Sequence, residues 1–367
     1  MAKQYAKLYP ANYFIGITGS VGKTVCVQSA KTILSQKFQI LSTEFDLNSD
    51  LDIPKTILKL NPTLKKVILE MGIENKGEMD FYLSLIHPKT VVFTKIAYDH
   101  SESLGELDDI IMEKGKLIKQ LDEKGLAILN FDDSSCKKLA KDCKGSVLYY
   151  GTDPNNCSIW AGNIQIEDFK TTFELNLGVE RVKVNFPYCG LHLVYPAMAA
   201  AALGVINNIP LTKIKLALEA VKPLEHLMQV VAGPNGSVVL DDTINSSSVA
   251  LDSAIDTLQQ INARRRVLVL GEMRNLGKYS DTIHRQIAQK IFKEKIDFVF
   301  LGQGNTEIIA AELKSLGFWE ERVENNLQNS QIVSRLLNLL RKGDLVLIKG
   351  AYSARLDEIV KRISKKT

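Results

Sequence analysis

The sequence predicts an α/β protein of two domains, each built on a largely parallel sheet covered by helices. Short apolar runs alternate with amphipathic stretches for most of the length. The runs are apolar throughout rather than alternating, as strands buried on both faces are. A chain of 367 residues is also too long for one ordinary core and comfortable for two.

The first half supplies candidate strands at Tyr13–Thr18, Lys66–Met71, Thr90–Ile96, Leu126–Asn130 and Ser146–Tyr150. Amphipathic helices are expected between them, at Lys23–Gln36, Glu78–Ile86 and Glu106–Leu121. Trp160–Ile166 and Thr171–Leu177 alternate apolar with polar residues, so Ser158–Phe186 reads as an appended antiparallel hairpin. A small-residue helix follows at Pro196–Gly204. The second half repeats the scheme, with strands at Val238–Asp241, Arg266–Gly271, Asp297–Gly302 and Leu345–Lys349. Its helices are expected at Ser247–Gln260, Thr282–Lys293 and Ser353–Ser364. Pro223, Gly233, Pro234 and Gly236 interrupt the periodicity. The expected division is residues 1–225 as one α/β domain and 226–367 as a second, Rossmann-like one.

Composition narrows the class. The chain is 45% hydrophobic and 24% charged, with a formal net charge of +4, ordinary for a globular protein. No Lys/Arg run alternates with aromatics, so nucleic acid is not an expected partner. The five cysteines are odd in number and form no C-x-x-C pair, which argues against a disulfide framework or a structural zinc. No apolar segment follows Met1–Pro10 as a signal peptide would require, and no membrane span is present. The cytoplasm is the expected compartment.

The strongest chemical signal is Gly16-Ile17-Thr18-Gly19-Ser20-Val21-Gly22-Lys23-Thr24, after an apolar strand and opening a helix. This is the setting of a phosphate-binding loop. Gly19, Ser20 and Gly22 let backbone N–H groups turn toward phosphate oxygens. Lys23 offsets the charge of the β- and γ-phosphates, and Thr24 is a candidate Mg²⁺ ligand. The competing reading, a glycine-rich turn with a chance Gly-Lys-Thr, is disfavoured by this placement. Glu70 ends the next strong strand, where a carboxylate sits beside such a loop and can take Mg²⁺. Lys114 falls within the apolar stripe Leu107, Ile110, Ile111, Leu117, Ile118 and Leu121. An amine on a buried face should have a lowered pKa, against the alternative of a lysine that snorkels to solvent.

Ile17 stands where the general loop pattern has glycine, and the form Gly-x-Thr-Gly-x-x-Gly-Lys-Thr resembles the Mur ligase family. Leu69-Glu70-Met71-Gly72 with Gly77-Glu78, Thr94–Gly105 around His100, and Lys114-Gly115 resemble further motifs of that family, in order. So do Asn130-Phe131-Asp132-Asp133, Gly190–Ala197, Leu240–Asn245, Leu270–Gly277 with His284, and Lys349–Asp357. The set is most similar to the D-alanyl-D-alanine-adding members. Departures are Lys95 for asparagine, Lys116 for glutamate, Pro196 for an asparagine that meets adenine, Leu227 for an arginine and Tyr352 for another.

The resemblance implies an ATP-dependent amide ligase that works through an acyl phosphate, with ATP and Mg²⁺ as cofactors. It implies that His100 and a carbamylated Lys114 hold a second metal, and that Asp242 and Asn245 contribute to the nucleotide site. Partners would be a carboxylic acid or peptide and an amine, an amino acid or dipeptide. The family's usual N-terminal domain grips a UDP group, and the stretch before Gly16 is too short to do so. The expectation is an acceptor not held through UDP: a smaller carboxylic acid or peptide, or one presented by a partner protein. Two other readings stay open at this point: a noncatalytic nucleotide-binding partner, and a different phosphotransferase that would release ADP without making an amide.

Overall fold

A computed structural model of the chain describes residues 1–44, 51–244 and 246–364. The chain divides into two compact units. The first comprises Met1–Gln165, Thr171–Pro187 and His192–Lys222. The second comprises Pro223–Thr367 with the short segments Ile166–Lys170 and Tyr188–Leu191.

The first unit carries β1 (Phe14–Thr18), β2 (Ile40–Ser42), β3 (Lys66–Glu70), β4 (Thr90–Phe93), β5 (Leu126–Asn130) and β6 (Ser146–Gly151). It continues with β7 (Ile159–Glu167), β8 (Lys170–Leu177) and β9 (Glu180–Phe186). They form one sheet in the order β2-β3-β1-β4-β5-β6-β7-β8-β9. Pairing from β2 through β7 is parallel, and β8 pairs with β9 antiparallel. All five residues of β1 are buried, as its central place requires. The appended element therefore has a third strand, β9, beyond the expected hairpin.

The second unit carries β10 (Gln229–Ala232), β11 (Val238–Asp242), β12 (Arg265–Leu270), β13 (Phe298–Gly302), β14 (Val323–Leu327) and β15 (Asp344–Lys349). Its order is β10-β11-β15-β12-β13-β14. Only the β10–β11 pair is antiparallel. β15 lies inside the sheet and is buried at every residue. Both sheets are thus of the expected α/β kind, with helices supplying the crossovers that parallel strands need. Among the described residues no helix is long and apolar enough to cross a membrane.

Two elements differ from their sequence-based extents for physical reasons. The strand expected at Thr90–Ile96 stops at Phe93, because the next backbone groups serve the phosphate loop. Thr94 N–H donates to Thr18 O at 3.0 Å, and Lys95 O accepts from Ser20 N–H at 2.6 Å. The helix expected at Ser353–Ser364 is broken at Arg355, whose φ is +50°. A single turn at Tyr352–Ala354 precedes the break, and the helix proper is Asp357–Ile363.

The helix Lys23–Leu34, which opens at the phosphate loop, packs on the helix Val194–Ile206. Ala197, Ala199, Ala200, Ala201 and Ala202 are fully buried there, since small side chains permit close approach of backbones. Gly204 marks the tightest point: a Cβ on it would lie 2.8 Å from Ile33 Cγ2 and 2.9 Å from Ile214 Cδ1. Gly204→Val is therefore expected to destabilise the fold by about 1–3 kcal/mol through overpacking. Urea denaturation checks this; an unchanged midpoint would contradict the close-packed reading.

Candidate functional site

β1 leads into the phosphate loop, and the loop leads into the helix Lys23–Leu34. Gly19 and Gly22 have φ of +147° and +83°, conformations that favour glycine. A Cβ on Gly19 would also lie 2.1 Å from Thr94 Oγ1, so no other residue fits there without movement. The loop is held by the segment that follows β4. Ser20 Oγ donates to Ala97 O at 2.9 Å and accepts Ala97 N–H at 3.0 Å. Thr94 Oγ1 donates to Val21 O at 2.6 Å. These three bonds hold the loop's shape from outside the loop itself.

Two sequence-predicted residues meet directly. Thr24 Oγ1 donates to Glu70 Oε1 at 3.1 Å, and Glu70 N–H donates to Thr43 Oγ1 at 3.0 Å. Lys23 Nζ lies 3.4 Å from Ser20 O. Its stem passes Gly72, where a Cβ would be 3.4 Å from Lys23 Cε. A hydroxyl and a carboxylate side by side are hard oxygen donors, the set that suits Mg²⁺.

Lys114 sits in the helix Leu107–Lys119 and is 1% exposed. Its neighbours on the stripe, Ile110, Leu117 and Ile118, are fully buried. The lysine does not snorkel. Its Nζ donates to Gly19 O at 3.2 Å, which brings it onto the phosphate loop. Burial and then the nearby charge of Lys23 push its pKa down from 10.5 to about 7, opposed by Asp99, Glu78 and Glu113. Near neutral pH much of this amine is uncharged and nucleophilic.

His100 opens the short helix Ser101–Leu104 with φ +51°, and its Nε2 is 3.7 Å from Asp99 Oδ1. Among the described residues no group of three or more His, Cys, Asp or Glu side chains is placed to hold a metal. Asp99 and Glu113, whose charges reach Lys114, were missed in the sequence reading. The only signal for Asp99 is its place beside His100. Asp133 caps the helix Ser134–Ala140 by accepting Ser135 N–H at 2.9 Å, and it also accepts Ile96 N–H at 2.7 Å. Both bonds hold local structure. Pro196 packs over the loop, 3.3 Å from where a Gly22 Cβ would be. The adjacent Tyr195 hydroxyl donates to Asp132 Oδ2 at 3.0 Å, and burial raises its pKa to about 12.

In the second unit, Asp242 Oδ2 accepts from Lys349 Nζ at 2.6 Å, a pair buried on both sides. Asp242 Oδ1 accepts Met228 N–H at 3.3 Å. Asp241 Oδ2 lies 2.7 Å from His226 Nδ1, and Asp241 Oδ1 accepts from Thr243 Oγ1 at 2.7 Å. Burial still raises the Asp241 pKa, against the lowering effect of those two partners. Asn245 lies outside the described residues.

The lowered Lys114 pKa has a stability consequence. Between about pH 7 and pH 10 the unfolded chain binds a proton at this lysine that the folded chain does not, so stability rises with pH in that window. Lys114→Met should accordingly stabilise the fold most at neutral pH and less as the pH climbs. Denaturant melts across the window check this; an equal effect at both ends would contradict the buried, depressed amine.

Comparison with known proteins places this geometry. Residues 17–204 match the Mur ligase middle domain, and residues 228–352 match the Mur ligase glutamate ligase domain. The UDP-N-acetylmuramoyl-tripeptide--D-alanyl-D-alanine ligase of Escherichia coli is 29% identical over 355 residues, covering 96% of this chain and 76% of that protein. Its Bacillus subtilis counterpart is 28% identical, covering 95% and 75%. The crystal structure of MurF from Acinetobacter baumannii superposes with a TM-score of 0.89 at 21% identity, covering 98% of this chain and 78% of that one. MurF ligase from Thermotoga maritima, solved with ADP, gives 0.87 at 20% identity, covering 98% and 81%. Matched by family models in both halves, the chain belongs to the Mur ligase family of ATP-dependent ligases.

Proposed function

We propose that the chain activates a peptide carboxylate with ATP and joins it to the amine of a dipeptide, as the names of its D-alanyl-D-alanine ligase relatives describe for them. The observation that carries this reading is the buried Lys114 amine on the Gly19 carbonyl of the phosphate loop. A generic phosphotransferase has no need of a second lysine buried on the loop, beside the half-buried Lys23, whereas a family that carries a carbamylated lysine does.

The loop N–H groups and the N-terminus of the helix Lys23–Leu34 hold the nucleotide phosphates. Lys23 gathers charge that develops on the γ-phosphoryl group. A carboxylate oxygen of the acid attacks the γ-phosphorus, ADP leaves, and an acyl phosphate remains. The amine then attacks the acyl carbon, a proton is lost, and inorganic phosphate departs as the amide forms. Asp242 and Asn245 are assigned to the nucleotide by resemblance.

Thr24 and Glu70 would hold one Mg²⁺, and His100 and Lys114 a second. The metal's chemistry there is to screen the charges of the two anions brought together. Lys114 becomes an anionic ligand when its neutral Nζ bonds to the carbon of CO₂ and releases one proton. The neutral fraction this needs is supplied by burial and by the charge of Lys23.

The deciding experiment is ADP release and amide formation with dipeptides crossed against free peptides and UDP-muramoyl peptides. Amide formed in step with ADP is expected, and ADP without amide in every pairing would sink the ligase reading. Lys23→Ala should remove nucleotide-dependent turnover while circular dichroism shows an intact fold; wild-type turnover in that variant would contradict the assigned role. In bicarbonate buffer Lys114 should gain the mass of one CO₂, and short carboxylates should partly rescue Lys114→Ala. A solvated, unmodified lysine with a fully active alanine variant would remove the second-metal model.

A further inference from the structure

The segment Glu74–Asp80 runs from the loop after β3 into the first turn of the helix Glu78–Leu85 and is fastened to the helix Leu107–Lys119 at three successive points. Lys76 Nζ is 3.5 Å from Asp109 Oδ1. Gly77 N–H donates to Glu113 Oε1 at 2.9 Å. Asp80 Oδ2 accepts from Lys116 Nζ at 2.6 Å. Asp109, Glu113 and Lys116 recur at i, i+4 and i+7, so they form one face of the helix. Glu113 is the hub, because it is buried and its second oxygen accepts from Lys116 at 2.5 Å.

A buried carboxylate persists only where its acceptors are used, and here they are used on a turn of special shape. Gly77 has φ +92°, with nothing within 4 Å of a Cβ placed on it; the glycine serves the conformation, not the space. Immediately after the turn, Glu78 accepts Glu74 N–H at 2.7 Å and Asn75 Nδ2 at 2.7 Å. Its charge is among those that act on Lys114, the residue next to Glu113.

From this fastening we infer that Glu113 is a positioning residue: by gripping the Gly77 N–H it locks the turn to the helix that bears Lys114 and keeps the Glu78 carboxylate in register with that lysine. Lys116 supports the hub from the same face and reaches the first turn of the next helix through Asp80. The grip is geometric and does not depend on any titration. Its effect on turnover rests on the ligase reading above; its effect on the turn does not.

Three variants separate reach from charge. Glu113→Gln keeps an acceptor oxygen at the right distance and loses the charge. Glu113→Asp keeps the charge and withdraws the acceptor by one carbon, and Glu113→Ala removes both. Backbone amide exchange at Gly77 in the full chain should rise about tenfold or more in the Asp and Ala variants and stay near wild type in Gln. The kcat for ligation should fall about tenfold or more in the same two variants, as small misplacements near a reacting centre do, while the KM for ATP holds and Gln restores most of the rate. Unchanged Gly77 exchange in the Asp variant overturns the grip. Raised exchange with unchanged kcat, or a Gln variant as impaired as Asp, overturns the positioning role. If the unaltered chain makes no amide, the ligase reading fails and the exchange measurement still decides the grip.

Discussion

The amine of Lys114, buried against the Gly19 carbonyl, is the constraint on which the rest of the first unit turns. A charged ammonium is expensive to bury, and the nearby charge of Lys23 makes it more so. The fold accepts this because the lysine lies on the one apolar face its helix has to bury. Its neighbours on that stripe, Ile110, Leu117 and Ile118, leave no route to solvent. The outcome is an amine whose pKa is lowered to about 7, set on the loop that must face phosphate. Stability is given up locally to keep that amine buried there.

The phosphate loop tolerates such a neighbour because its shape is held from outside the loop itself. Its backbone is tied to the residues following β4 through Ser20, Thr94 and Ala97. Those ties consume the backbone that would otherwise have extended β4. The parallel sheet thus ends where the site begins, as is usual at the carboxyl ends of strands in open α/β sheets. Thr24 and Glu70 come from a helix start and a strand end and meet by a single hydrogen bond. The second unit repeats the economy with Asp242 and Lys349, a buried pair joining the ends of two neighbouring parallel strands.

Much of this was legible in the sequence. The loop announces itself through glycine spacing, and the stripe around Lys114 fixes its burial by helical periodicity alone. What periodicity could not supply is contact between distant segments. Asp99 acts on Lys114 through space with only its place beside His100 to mark it, and Glu113 accepts Gly77 N–H from another segment, a contact its own position on the helix does not announce. The third strand, β9, was missed because Glu180–Phe186 carries four charged or amide side chains among its seven residues, so its apolar alternation is faint. The final helix starts later than its periodicity implies, because a positive φ at Arg355 has no composition signal.

Acyl phosphate chemistry leaves a mark that no other route to the amide leaves. An oxygen of the acid becomes a bridging oxygen to phosphorus and departs with the phosphate. The acid substrate should therefore be labelled with heavy oxygen in its carboxylate and turned over with ATP and a dipeptide amine. Mass analysis of the released phosphate should then find one labelled oxygen for each amide formed. Amide formed while the phosphate stays free of label, with the lost oxygen found in water or in AMP instead, would contradict phosphoryl activation of the carboxylate at this site.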